Sequence, residues 1–175
     1  LIARERERGT LEALFVTPVR PFELVLAKLA PYLVIGMIDI AVCLAASYFL
    51  FDVPMRASML AIFSASLMYL LVSLLLGLAI SGYSSSQFQA SQIALLASFM
   101  PALMLSGFVF DTQNLPVAVQ AVSHVLPATH FMTLIKTLLL GGDDWALWLK
   151  ECGILMLYVI VLAAVSTRSL KKQLR

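Results

Sequence analysis

From Ala57 to Phe110, 54 consecutive residues carry no Asp, Glu, Lys or Arg, and the same holds for 112–135 and 152–167. A water-soluble fold cannot keep so long a run off its charged surface. A chain that crosses a membrane several times must do so, because each crossing takes about 20 mostly apolar residues. Composition agrees: 61% of the 175 residues are apolar and 13% are charged, against about 25% charged in an ordinary soluble domain. A disulfide scaffold, a nucleic-acid module and a disordered tail are excluded, and the two cysteines, Cys43 and Cys152, both lie in apolar segments.

The spans follow from the gaps between charges. Leu29 to Phe51 is interrupted only by Asp39 and reaches about 34 Å as a helix, enough to cross a core of about 30 Å with some tilt. A polar turn with Asp52, Pro54 and Arg56 leads to a second span over 57–83. Residues 84–92, uncharged but rich in Ser and Gln, read as a connection to a third span over 93–110 that holds Pro101 and is closed by Asp111. The last span runs from about Trp145 to Thr167, with Trp145 and Trp148 at the level of an interfacial aromatic belt. The first three residues, which precede Arg4 and lack an initiator Met, read as the tail of an upstream span and not as a signal peptide, so the sequence is expected to be the C-terminal part of a longer protein.

The stretch 116–140 is long enough to cross but holds Gln120, His124, Thr129, His130, Thr133 and Lys136, and Pro127 would break a helix through it. Two short helices, about 115–125 and 128–140, that dip into the membrane and return to the same side fit better than a fifth span. Basic residues decide the matter. With four spans, Arg4, Arg6, Arg8, Arg20, Lys28, Arg168, Lys171, Lys172 and Arg175 share one side, nine of the twelve. The positive-inside rule makes that side cytoplasmic. The sequence thus predicts an all-α membrane protein with four transmembrane helices. It divides into a cytoplasmic segment 1–28, three spans in 29–110, an outer re-entrant segment 111–144, and a last span with a basic tail in 145–175.

Between Arg4 and Lys28 the pattern predicts a short amphipathic helix on the cytoplasmic side. Gly9-Thr10 opens it, Leu11, Leu14 and Phe15 form its apolar face, and Thr17-Pro18 ends it, since the residue before proline leaves the helical region. Pro21 suits the first turn of a further helix leading into the first span. On these residues alone the segment could equally lie in the lipid headgroups.

The run from Arg6 to Val19 (RERGTLEALFVTPV), followed by Glu23, Lys28 and Pro31-Tyr32, resembles the permease subunits of ABC type 2 transporters, most closely the multidrug-efflux branch of bacterial inner-membrane permeases. A second block strengthens the likeness: Pro101 to Phe110 (PALMLSGFVF), Asn114-Leu115-Pro116, Leu126 to Phe131 (LPATHF), Lys136 and Gly141. Ala27, where that family usually has Gly, and Asp111, where it usually has Pro, depart from the pattern. The resemblance implies that Arg8, Gly9, Thr10, Leu11, Glu12, Leu14, Thr17 and Pro18 belong to a coupling helix that docks in an ABC ATPase subunit. It implies further that ATP and Mg are bound by that partner and that a second permease subunit completes the path. A periplasmic adaptor is a further partner of that branch, and a first span and a large extracytoplasmic domain are expected to precede Leu1.

This chain has no Walker-type phosphate loop, no His-Glu-x-x-His and no Gly-x-Ser-x-Gly, so no catalytic residue and no cofactor of its own are expected. Asp39 is the most informative single position. A carboxylate near mid-membrane costs about 2.5–3.5 kcal/mol on insertion scales, so it should face protein, water or a proton. Gly36, Asp39, Cys43 and Ala46-Ser47 share a helix face by their three-to-four spacing. That face either lines a substrate path, or packs as a small-residue stripe with Asp39 hydrogen-bonded inside the bundle. His124 and His130 flank Pro127, where they either gate an outer exit or tie the two short helices together; no carboxylate near them in sequence suggests a metal site. Lys136 is expected to snorkel to the outer interface, and Cys43 to be inert packing. The expected function is the membrane part of an ATP-driven exporter of apolar or amphipathic substrates. Its rivals are a non-transporting scaffold of the same fold and an intramembrane enzyme.

Overall fold

The computed structural model describes residues 2–10, 20–142 and 144–173, and every regular element among them is helical. In chain order they are α1 (Ile2–Glu7), α2 (Pro21–Phe49), α3 (Met59–Tyr83), α4 (Gln87–Leu105), α5 (Val117–Val125), α6 (Pro127–Lys136, continued by a wide turn over Thr137–Gly141) and α7 (Trp145–Gln173). Four of them, Pro21–Phe49, Met59–Tyr83, Gln87–Leu105 and Trp145–Ser169, are long and apolar enough to span a bilayer. Their outward faces carry Val34, Ile35, Ile38, Leu95, Leu96, Phe99 and Ile160 in exposed positions, as expected where lipid replaces water as the solvent.

α3 is the hub, antiparallel to α2 and parallel to α7. Ser166 Oγ donates to the Leu75 carbonyl at 3.4 Å at one end of the α3–α7 contact, and Trp148 Nε1–H donates to the Ala61 carbonyl at 3.4 Å at the other. Two apolar clusters occupy the two ends. One joins Ile2, Val25, Leu29, Leu75 and Leu78, with Val159, Leu162 and Ala163 against it. The other joins Ala57, Ala61, Ile62, Ala65, Leu134, Leu138 and Cys152. The first cluster seats α1: Ile2 and Ala3 are buried, Ala3 N–H donates to Ser81 Oγ, and the buried Lys28 ammonium pairs with Glu5.

One local reading of the sequence is corrected. The third span starts six residues earlier than expected and ends five earlier, at Gln87–Leu105 instead of 93–110. Ser86 caps it, its side chain accepting from Gln89 N–H at 3.1 Å, so the glutamines that read as a loop lie inside the helix. Its far end is set by Gly107, whose φ of +84° turns the chain away before Phe108. Gly9-Thr10 closes α1. Gly9 sits at φ +67°, and Thr10 N–H returns to the Glu5 carbonyl at 3.2 Å, a glycine C-cap of α1. The expected helix over Leu11, Glu12, Leu14, Phe15, Thr17 and Pro18 lies outside the described residues. The helix expected to start at Pro21 and lead into the first span is α2, continuous through Leu29; the Glu23 carboxylate accepts from Arg20 N–H at 3.2 Å at its start.

The pair α5–α6 matches the two short helices read from the sequence. Its turn lies beside the middle of α7, where the Tyr158 hydroxyl donates to the Val125 carbonyl. The wide turn after α6 leaves carbonyls free of the normal helical pattern, and two of them, on Leu138 and Leu139, accept from Ala57 N–H and Arg56 N–H at 3.1 and 3.4 Å. The loop between α2 and α3 is thereby fastened to α6.

Candidate functional site

α2 packs tightly against α3 at Gly36. A Cβ placed there would stand 2.5 Å from Leu70 Cδ1, so only glycine allows this approach without moving Leu70. Beyond that point, towards Phe49, the two helices enclose open space with α6. It forms a cavity of about 390 Å³ walled by Gly36, Asp39, Cys43 and Ser47 of α2, Ser66, Tyr69 and Ser73 of α3, and Phe131, Ile135 and Leu139 of α6 and its wide turn. Leu44 belongs both to this wall and to that of a second, apolar cavity of about 640 Å³ that continues along α2 past Tyr48 and Phe49 to Met55 and Phe63.

Asp39 is the one ionisable carboxylate in the wall of the smaller cavity, no basic side chain lines it, and Asp39 makes no hydrogen bond or ion pair with the described residues. Gly36 therefore packs as the small-residue stripe anticipates, while Asp39, three residues on, is exposed and unpaired. Cys43 is exposed in the same wall, not packed in the bundle as the sequence suggested, because α2 has neighbours along one side only at that height. Tyr69 and Phe131 stack across the α3–α6 boundary with centroids 4.4 Å apart and planes 6° from parallel.

His130 lies outside this cavity, on the opposite flank of α6. Its Nδ1 is 2.6 Å from Glu151 Oε2 on α7, and its Nε2 is 2.9 Å from the His124 carbonyl on α5. Both side chains of the pair are largely buried, at 14% and 7% exposure. The His124 side chain is exposed and takes no part. The two histidines and Asp39 thus do not converge on one site. Glu151 was not singled out from the sequence: it lies 21 residues from His130 on another element, and its only signal was a carboxylate at the edge of an otherwise uncharged stretch. Among the described residues no group of three metal-ligating side chains comes together.

Lys136 is exposed near the end of α4. Its ammonium donates to the Gly107 carbonyl just past α4. Ser123 donates to the Leu105 carbonyl and Thr129 reaches the same oxygen at 3.4 Å. The last carbonyls of a helix have no partner within it, and here α5 and α6 supply the partners for α4.

Residues 1–168 match the family model described as ABC-2 family transporter protein. The chain belongs to the ABC-2 transporter family. This ABC-2 chain is 43% identical over 143 residues to the probable multidrug ABC transporter permease YbhS of Escherichia coli K12, an alignment covering 82% of this chain and 38% of that protein. It is 32% identical over 139 residues to the probable multidrug ABC transporter permease YbhR of the same organism, covering 79% and 38%. It is 27% identical over 168 residues to ABC transporter G family member 20 of Dictyostelium discoideum, covering 91% and 23%. The ABC-2 chain thus aligns with well under half the length of these relatives. No solved structure matches it. Its four apolar helices and its permease relatives mark a multi-pass membrane protein.

Proposed function

We propose that this chain is the C-terminal membrane part of an ATP-driven ABC exporter permease that moves an apolar or amphipathic substrate out of the cytoplasm or the inner membrane. A separate ATPase subunit binds ATP and Mg and docks on the segment from Arg8 to Pro18. A second permease subunit, identical or paired, completes the path, and a periplasmic adaptor receives the substrate. Both ends of this chain face the cytoplasm.

The observation that carries the reading is the anchoring of α1. Glu5 is held by Lys28 of α2, Ala3 N–H by Ser81 of α3, and Glu7 Oε1 accepts from Gln87 N–H, the first residue of α4, at 2.9 Å. The segment that leaves α1 at the Gly9 cap and rejoins the bundle at Arg20 is therefore tied at its root to three of the four long helices. A partner that pushes on it moves them together, which is what alternating access driven by an external ATPase requires. ATP-driven closure of the paired ATPases would then rock the bundles to open outward.

The test is at Leu14. In the full-length permease, Leu14→Glu should reduce recovery of the ATPase in pull-down at least tenfold at equal membrane abundance and remove substrate-stimulated ATP hydrolysis, because a docking groove does not accept an unpaired charge. Equal recovery of the ATPase would mean that this segment is not the docking element.

A further inference from the structure

We propose that the Asp39 cavity is a binding site for an organic monocation with an apolar body. The inference rests on the permease reading above and names the charge class of the ligand. Three observations point to it. Asp39 is an exposed carboxylate in the middle of a span with no counter-charge and no hydrogen bond among the described residues, and a carboxylate in that position is costly unless water, a proton or a counter-charge meets it. The rest of the wall offers hydroxyls, from Ser47, Ser66 and Ser73, but no second charge of either sign. It therefore favours one positive charge and disfavours a dication or an anion. The remaining lining is apolar and aromatic, with the Tyr69–Phe131 stack beside the carboxylate compartment, and aromatic side chains attract a cation as well as an apolar ring.

Size agrees. About 390 Å³ lies within the range of about 300–1,000 Å³ typical of drug-sized ligands. The adjoining apolar cavity, reached past Leu44, gives room for the body of a larger molecule. The Gly36–Leu70 contact narrows the opposite end, so the body of the ligand extends on the Phe49 side of Asp39.

The test uses the full-length permease purified without nucleotide, with tritiated tetraphenylphosphonium as the probe and tetraphenylborate as its anionic counterpart of the same shape. The wild-type protein should bind the phosphonium saturably and in preference to the borate. Asp39→Asn should weaken phosphonium binding at least tenfold, equivalent to about 1.4 kcal/mol, and Asp39→Glu should stay within about threefold of wild type. Tyr69→Phe should bind normally, and Tyr69→Ala should bind weakly while still eluting as a folded, monodisperse protein. Unchanged phosphonium binding in Asp39→Asn, equal binding of the two ions, or no saturable binding to the wild type would each overturn the proposal. Because no ATPase is present in this measurement, its outcome is separable from the Leu14→Glu pull-down: either can fail while the other stands.

Discussion

His130 Nε2 faces a backbone carbonyl, which has no proton to give, so this nitrogen must carry one itself. Nδ1 then shares a single further proton with Glu151, either as imidazolium and carboxylate or as two neutral groups. In both forms each side chain satisfies the other in a setting that water scarcely reaches, so removal of one strands its partner. Replacing one member of a buried pair costs about 3–5 kcal/mol, whereas replacing both with apolar groups is often close to neutral. His130→Phe and Glu151→Leu should each lower stability in detergent by about 3 kcal/mol, and the double variant by clearly less than either alone. Thermal unfolding of the four proteins checks the cycle, and simple additivity would show that the contact contributes nothing specific. The same reasoning explains why this pair escaped the sequence. Helical spacing makes Gly36, Asp39, Cys43 and Ser47 legible as one face from the chain alone, but nothing local records that two residues on different helices will meet.

At the scale of elements, α4 contrasts with its neighbours. No residue in its span is buried within the chain, yet both ends are secured by polar contacts. Its last third contains Pro101, which lacks the N–H that would bond to residue 97, and just before it the turn over Leu95–Phe99 widens so that Met100 N–H reaches back to the Leu95 carbonyl. Length and apolarity revealed this span, and Pro101 was visible from the outset. Its limits were not, because an uncharged Ser/Gln run reads alike as loop or helix until Ser86 is seen to cap it, and because Phe108 to Phe110 look like membrane core until Gly107 turns them aside. The α5–α6 hairpin caps the far end through Ser123 and Thr129. Replacing both hydroxyls, Ser123→Ala with Thr129→Val, leaves the Leu105 carbonyl short of donors, a loss of about 1–3 kcal/mol. Amide exchange over 103–109 should accelerate in that variant while exchange over 62–75 of α3 stays unchanged. Equal protection in the two proteins would show that the hydroxyls do not hold the helix end.

For the whole molecule, the bundle has a chemically distinct end. Lys28, Arg20 and Arg168 gather where α1 is seated, while the loop before α3, the α5–α6 hairpin and Trp145 mark the other. The positive-inside rule turns this into an orientation. With Cys43 and Cys152 replaced by Ala, single cysteines at Ser85 and Arg168 should be protected from an impermeant thiol reagent added to intact cells, and single cysteines at Gln113 and Asp144 should react. Labelling at Arg168 would place the α1 end outside and overturn the orientation. One contact gives this end a mechanical character. Glu7 holds the first amide of α4, and the hairpin holds the last carbonyls of the same helix, with no burial along its length between them. The arrangement within this chain is that of a push-rod: jointed at both tips and widened near its centre, α4 links α1 to the hairpin at the opposite end by a route that bypasses the packed core.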